Sequence, residues 1–90
     1  MYAKTTTVVN PTGLHARPAS VFSRQAGEYE SEVWVRNVTK DKDLASAKSV
    51  LSVMAQSLAV GNEVEVSAEG PDETKAVDEL VALIDSGFGE

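Results

Sequence analysis

Pro18 restricts this chain more than any other residue. It has no backbone N–H to donate, so it breaks a helix interior. It is tolerated in a first turn, where that N–H would have no intrahelical acceptor anyway. A turn-forming cluster, Asn10-Pro11-Thr12-Gly13, lies just upstream. Whatever precedes the cluster must end near Asn10, and a helix must begin close to His15. Ala19, Phe22, Ala26 and Tyr29 then recur at three- and four-residue steps. That spacing predicts one apolar stripe on a helix from about Ala16 to Glu28, with Gly27 in its C-terminal cap region.

The flanking segments read in the same way. Tyr2 to Val9 is rich in Thr and Val, which is strand composition. Ser31 to Val38 alternates, with Val33 and Val35 on one face and Glu32, Trp34 and Arg36 on the other, as in a strand whose second face meets water. Asn37 to Asp43 is a rather long polar turn, expected to stay clear of any site, and a very short strand should follow near Leu44. A second, short helix is expected from about Ser49 to Gln56, with Ser46 and Ser49 both competent N-caps. Gly61-Asn62 is a turn, and Glu63 to Ala68 alternates cleanly as a strand. Glu69-Gly70-Pro71 breaks it. Asp72 is the expected N-cap of a last helix, striped by Ala76, Val77, Leu80, Leu83 and Ile84 and ended by Gly87. The order β-α-β-β-α-β-α, with one-sided strands and striped helices, implies an α+β fold. Helices cover one face of a mostly antiparallel sheet, and the other face stays open.

Ninety residues make one domain, 1–90, whose core has little margin. The absence of cysteine excludes disulfides, a thiolate nucleophile and a Cys-based metal site, and no metal is expected. The net charge of -6 disfavours nucleic acid and anionic membranes as partners. No apolar run approaches the ~20 residues of a membrane span, and the N-terminal residues lack the apolar region of a secretory signal. A cytoplasmic monomer is the expectation.

The chemistry concentrates at His15, the only histidine. Imidazoles ordinarily titrate near pH ~6.5, so a neutral ring nitrogen is available as a nucleophile toward phosphorus without a separate base. The helix start offers backbone N–H groups, around Ala16 and Arg17, and a favourable dipole for phosphoryl oxygens. Arg17 can add a planar, always-charged fork. Taken singly, each residue has a plainer reading: His15 as an exposed or capping histidine, Arg17 as a solvated helix residue, Thr12 as a turn hydroxyl, Ser49 as a helix cap.

Gly13-Leu14-His15-Ala16-Arg17-Pro18-Ala19 reproduces the active-site motif of HPr, and the chain resembles this family of histidine-containing phosphocarriers of the bacterial sugar phosphotransferase system. Ala47-Lys48-Ser49 before an apolar helix is similar to the family's second signature, around its regulatory serine. Ser67-Ala68-Glu69-Gly70, Asp72-Glu73 and Lys75-Ala76-Val77 are similar to its last strand-to-helix turn. The resemblance covers essentially the whole chain. It implies an open-faced β-sandwich: four antiparallel strands in the order first-fourth-second-third, covered on one face by three helices.

The resemblance also implies roles. His15 would accept a phosphoryl group from enzyme I, itself charged by phosphoenolpyruvate, and pass it to the A domain of a sugar-specific enzyme II. Such a carrier needs no bound cofactor. Ser49 would be the target of an ATP-dependent HPr kinase/phosphorylase, with a catabolite-control transcription factor as a further partner. The alternatives are a regulatory binding module and carriage in the nitrogen-linked phosphotransfer branch. Val50, Leu51 and Met54 form the candidate docking patch, two of the three as contacts, with Arg24 either a rim charge or a solvated residue. Ser46 is a decoy beside Ser49. The chain departs from the family pattern at Ser57, where glycine is common, and in having Gln25, Gly27, Ser52 and Gln56 where lysines are often found nearby.

Overall fold

A computed structural model describes residues 1–89. Its elements follow the order β1 (Tyr2–Thr7), α1 (Ala16–Ala26), β2 (Glu32–Asn37), β3 (Ala45–Ser46), α2 (Val50–Ala55), β4 (Glu63–Glu69) and α3 (Glu73–Asp85), with a 3-10 turn at Gly87–Gly89. The sheet order is β1-β4-β2-β3, antiparallel throughout. The expected α+β open-faced sandwich is the one observed. No helix among the described residues is long and apolar enough to cross a membrane.

Alternation explains the layers. Val64, Val66 and Ala68 of β4 and Val33 and Val35 of β2 point to one face and are buried. The helices cover that face. Phe22 and Ala19 come from α1, Val53 from α2, and Val77, Leu80 and Ile84 from α3; all are fully buried. Burying a side chain such as Phe22 contributes about 2–3 kcal/mol. The edge strand β1 is tied to α3 by polar groups: the Tyr2 hydroxyl donates to Asp78 (3.0 Å), Lys4 pairs with Asp78 (2.8 Å), and the Thr6 hydroxyl donates to Asp85.

Element boundaries differ slightly from expectation. β1 stops at Thr7 rather than Val9, because Val8 pairs instead with the segment before β4: its N–H donates to Asn62 O and its carbonyl accepts from Gly61 N. α1 ends at Ala26, with Gly27 as C-cap, and Glu28 and Tyr29 lie in the turn that follows. β3 falls at Ala45–Ser46, one residue beyond Leu44. α3 gives way at Ser86 to Gly87 in the left-handed region (φ 70°), as a C-terminal glycine should.

Asp72 occupies the expected N-cap position, but its carboxylate does not cap the helix. It accepts instead from the Glu30 N–H (3.0 Å), the Ser31 N–H (2.9 Å) and the Ser31 hydroxyl. The same group therefore staples the α1–β2 turn to the β4–α3 turn. Gly70 permits the approach: a Cβ there would lie 2.6 Å from Ser31 Cα. The Ser31 hydroxyl, followed by the Glu30 amide, lowers the Asp72 carboxyl from 3.8 to about 2. A depressed folded pKa stabilises the fold above the unfolded value, and that contribution disappears as pH falls through the folded one. Urea titrations between pH 5 and pH 2 should therefore show wild type losing stability from about pH 4 downward. In Asp72→Asn that part of the slope should be absent, and stability at neutral pH should be lower.

Candidate functional site

The loop between β1 and α1 is built by close contacts rather than by an element of its own. The Asn10 side chain is buried and its Nδ2 donates to Gly13 O, while Gly13 N donates to Asn10 O (3.0 Å). This closes the turn predicted at Asn10-Pro11-Thr12-Gly13. Gly13 adopts φ 66°, and a Cβ there would sit 2.4 Å from Leu58 O. Only glycine meets both demands without displacement. Leu14 N then donates to Leu58 O (2.9 Å), and the Leu14 side chain is buried.

With Leu14 turned inward, His15 turns outward. It is the N-cap of α1, in extended backbone geometry, and its carbonyl accepts from Ala19 N (3.0 Å). His15, Ala16 and Arg17 are exposed, whereas Pro18 and Ala19 are buried. Ala16 and Arg17 are the first two helical residues, whose N–H groups have no intrahelical acceptor, and Pro18 contributes none. The first turn of α1 carries no acidic residue. The imidazole is therefore carried at the positive end of the helix dipole, followed in the chain by two amides without intrahelical acceptors and by the exposed Arg17. Arg24 lies in the last turn of α1, where a cation suits the opposite end of the dipole. It is nine residues from His15, or about 13 Å along the axis.

Ser49 is the N-cap of α2, and its hydroxyl accepts from Ser52 N (3.3 Å). Ser46 is separate: it belongs to β3, and its hydroxyl accepts from Lys48 N. On α2, Leu51 is 79% exposed and Met54 40%, while Val50 is half-buried against the core and Val53 fully buried. The expected patch thus contains two exposed apolar side chains on a helix packed against α1.

The support beneath the loop comes from residues distant from it in sequence. Asn37 is fully buried at the end of β2; its N–H donates to Gln56 Oε1 (2.7 Å), and its Nδ2 donates to Gln56 O (3.1 Å) and Asn62 Oδ1 (3.0 Å). Gln56 Nε2 donates in turn to Asp43 O (2.9 Å). Ser57 has φ 53°, the left-handed region where a side chain costs energy, and its carbonyl accepts from Lys40 Nζ (2.7 Å). The polar turn after β2, expected to stay clear of the site, thus braces the segment that carries Leu58. The only signal for this in the sequence is three amide side chains, Asn37, Gln56 and Asn62, at the ends of elements.

Fold and site together define the class: a small open-faced sandwich presenting one histidine at the start of its first helix. Comparison with known proteins gives the family. The family model described as "PTS HPr component phosphorylation site" matches residues 2–86. The chain is 37% identical to a phosphocarrier protein HPr of Cupriavidus necator, over 100% of this chain and 98% of that protein. The crystal structure of an HPr from Thermoanaerobacter tengcongensis superposes with a TM-score of 0.91 at 44% identity, covering 100% of this chain and 98% of the other. Crh, a catabolite repression protein of Bacillus subtilis solved as a domain-swapped dimer, superposes with a TM-score of 0.73 at 33% identity, covering 97% of each chain. The chain belongs to the HPr family, the phosphocarriers of the phosphotransferase system.

Gly13→Ala should test the role of the Leu58 contact. The added methyl must displace the Leu58 carbonyl and hold residue 13 at positive φ, so urea unfolding should show a loss of about 2 kcal/mol or more. Amide shifts should concentrate at residues 13–19 and 57–62. A loss spread evenly over the sheet would contradict this role.

Proposed function

We propose that His15 carries the phosphoryl group, accepting it from phosphorylated enzyme I and delivering it to the A domain of an enzyme II. The observation that carries this is the exposed His15 at the N-cap of α1, followed by the Ala16 and Arg17 amides of the first turn and by the exposed Arg17 side chain, with no carboxylate in that turn. In the first transfer, the lone pair of a neutral ring nitrogen attacks phosphorus. A P–N bond to His15 forms as the bond to the donor's leaving atom breaks, and the leaving atom keeps the electron pair. The other ring nitrogen keeps its proton. In the second transfer the acceptor's nucleophile attacks, and the pair returns to His15. The two amides and Arg17 stabilise the phosphoryl oxygens by charge-assisted hydrogen bonds. Their exposure keeps that stabilisation moderate, so the group can leave again.

Leu51 and Met54, with a smaller part from Val50, supply the apolar contact for both partners. Incubation with enzyme I and phosphoenolpyruvate should add one acid-labile phosphoryl mass to the wild type. His15→Ala should gain none, and Arg17→Ala should gain it more slowly. Undiminished labelling of His15→Ala would overturn the assignment.

A second, compatible reading is regulatory. Ser49 caps the helix that bears Leu51 and Met54, and a relative with 33% identity is the catabolite repression protein Crh. A phosphate on Ser49 would place about -1.5 to -2 charges beside the docking patch and weaken association with an acidic partner. This supports a role as a phosphorylation-dependent binding module toward a catabolite-control transcription factor. A purified HPr kinase/phosphorylase with ATP should give an acid-stable label that Ser46→Ala retains and Ser49→Ala loses. Labelling that survives Ser49→Ala would refute it.

A further inference from the structure

The side of the sheet away from the helices is uncovered, and the strand register arranges its residues in rows. Glu32 lies opposite Glu69; Ser46, Trp34, Ser67 and Ala3 form the next row; Arg36, Glu65 and Thr5 form the third. Trp34, the chain's only tryptophan, is half-buried in a row of small side chains that cannot cover it. Glu32 and Glu69 are both exposed and directly opposed, and like charges so placed destabilise a sheet. Among the described residues neither makes an ion pair. Arg36 does not relieve them, since it is engaged by Glu65 (3.2 Å) and Lys42 O (3.2 Å). Ser67, which faces the same side between Trp34 and Ala3, is only 2% exposed, and its hydroxyl has no hydrogen-bond partner.

We propose that this face is a second docking surface, for a protein segment that presents an arginine or lysine to Trp34 and the Glu32–Glu69 pair. Tryptophan is the strongest aromatic partner for a cation. The two opposed carboxylates supply the counter-charge, and an incoming cation removes their mutual repulsion. The net charge of -6 draws a basic partner toward the protein over longer range. Because α1 and α2 pack on the other side of the sheet, such a partner leaves His15 uncovered, and the surface operates whether or not His15 is phosphorylated.

Trp34 emission reads the site directly, with the peptide acetyl-Gly-Arg-Gly-Arg-Gly-amide as probe and its glutamate counterpart as control. A saturable change is expected with the arginine peptide alone. The apparent affinity should fall roughly tenfold in E32Q/E69Q, which loses two charge contacts. Amide shifts should map to residues 32–36 and 63–69 rather than 13–19. E32Q/E69Q should unfold at the same temperature as wild type or higher, since only repulsion is removed, so a weaker signal cannot be assigned to misfolding. A non-saturable response, an equal affinity for E32Q/E69Q, or shifts confined to the His15 loop would overturn the proposal.

Discussion

The hydrogen bond from the Leu14 amide to the Leu58 carbonyl joins two loops distant in sequence, and the geometry of the site depends on it. Leu14 is drawn inward and His15, its neighbour, is turned to solvent. Gly13 allows the approach by having no Cβ and by adopting a positive φ. The segment on either side of that carbonyl is held by Asn37, which donates to Gln56, and by Asn62 Oδ1, which accepts from Ala59 N. Leaving a buried polar group of this kind unsatisfied costs about 1–3 kcal/mol, so the network is rigid or it is lost. The outward turn of the exposed His15 is thus set by buried groups well away from it.

Charge is distributed to match. The chain is acidic overall, yet the first turn of α1 contains no carboxylate. Asp78 and Asp85 are turned toward β1, Asp72 toward the α1–β2 turn, and Glu32, Glu65 and Glu69 toward the open face of the sheet. Within that first turn no carboxylate offsets the positive end of the helix dipole or the charge of Arg17, despite the net charge of the chain.

Much of this could be read along the chain. Alternation at Val33 and Val35 and at Val64 and Val66 marks which side of each strand is buried. The stripes of α1 and α3 come from spacing alone, and Pro18 places the start of α1. Other features could not be read. Thr-rich β1 shows no contrast between its faces, so neither its end at Thr7 nor its polar link to α3 was visible. Asp72 has the chemistry of an N-cap, but Ser31 and Glu30, brought close by the fold, offer its carboxylate three donors. The polar turn after β2 looked detached because its value lies in contacts to Ser57 and Gln56.

The sequence by itself determined the elements, the buried side of each, the open-faced α+β class and the histidine at the helix start. These follow from periodicity, turn chemistry and the missing N–H of proline, all of which act within a few residues. Only the tertiary structure decided that the segment after α2 cradles Gly13 and Leu14, that Glu32 faces Glu69, and that Asp72 serves a neighbouring turn. Each of these depends on hydrogen bonds or strand register between residues far apart in the chain, and local periodicity carries no record of such pairings.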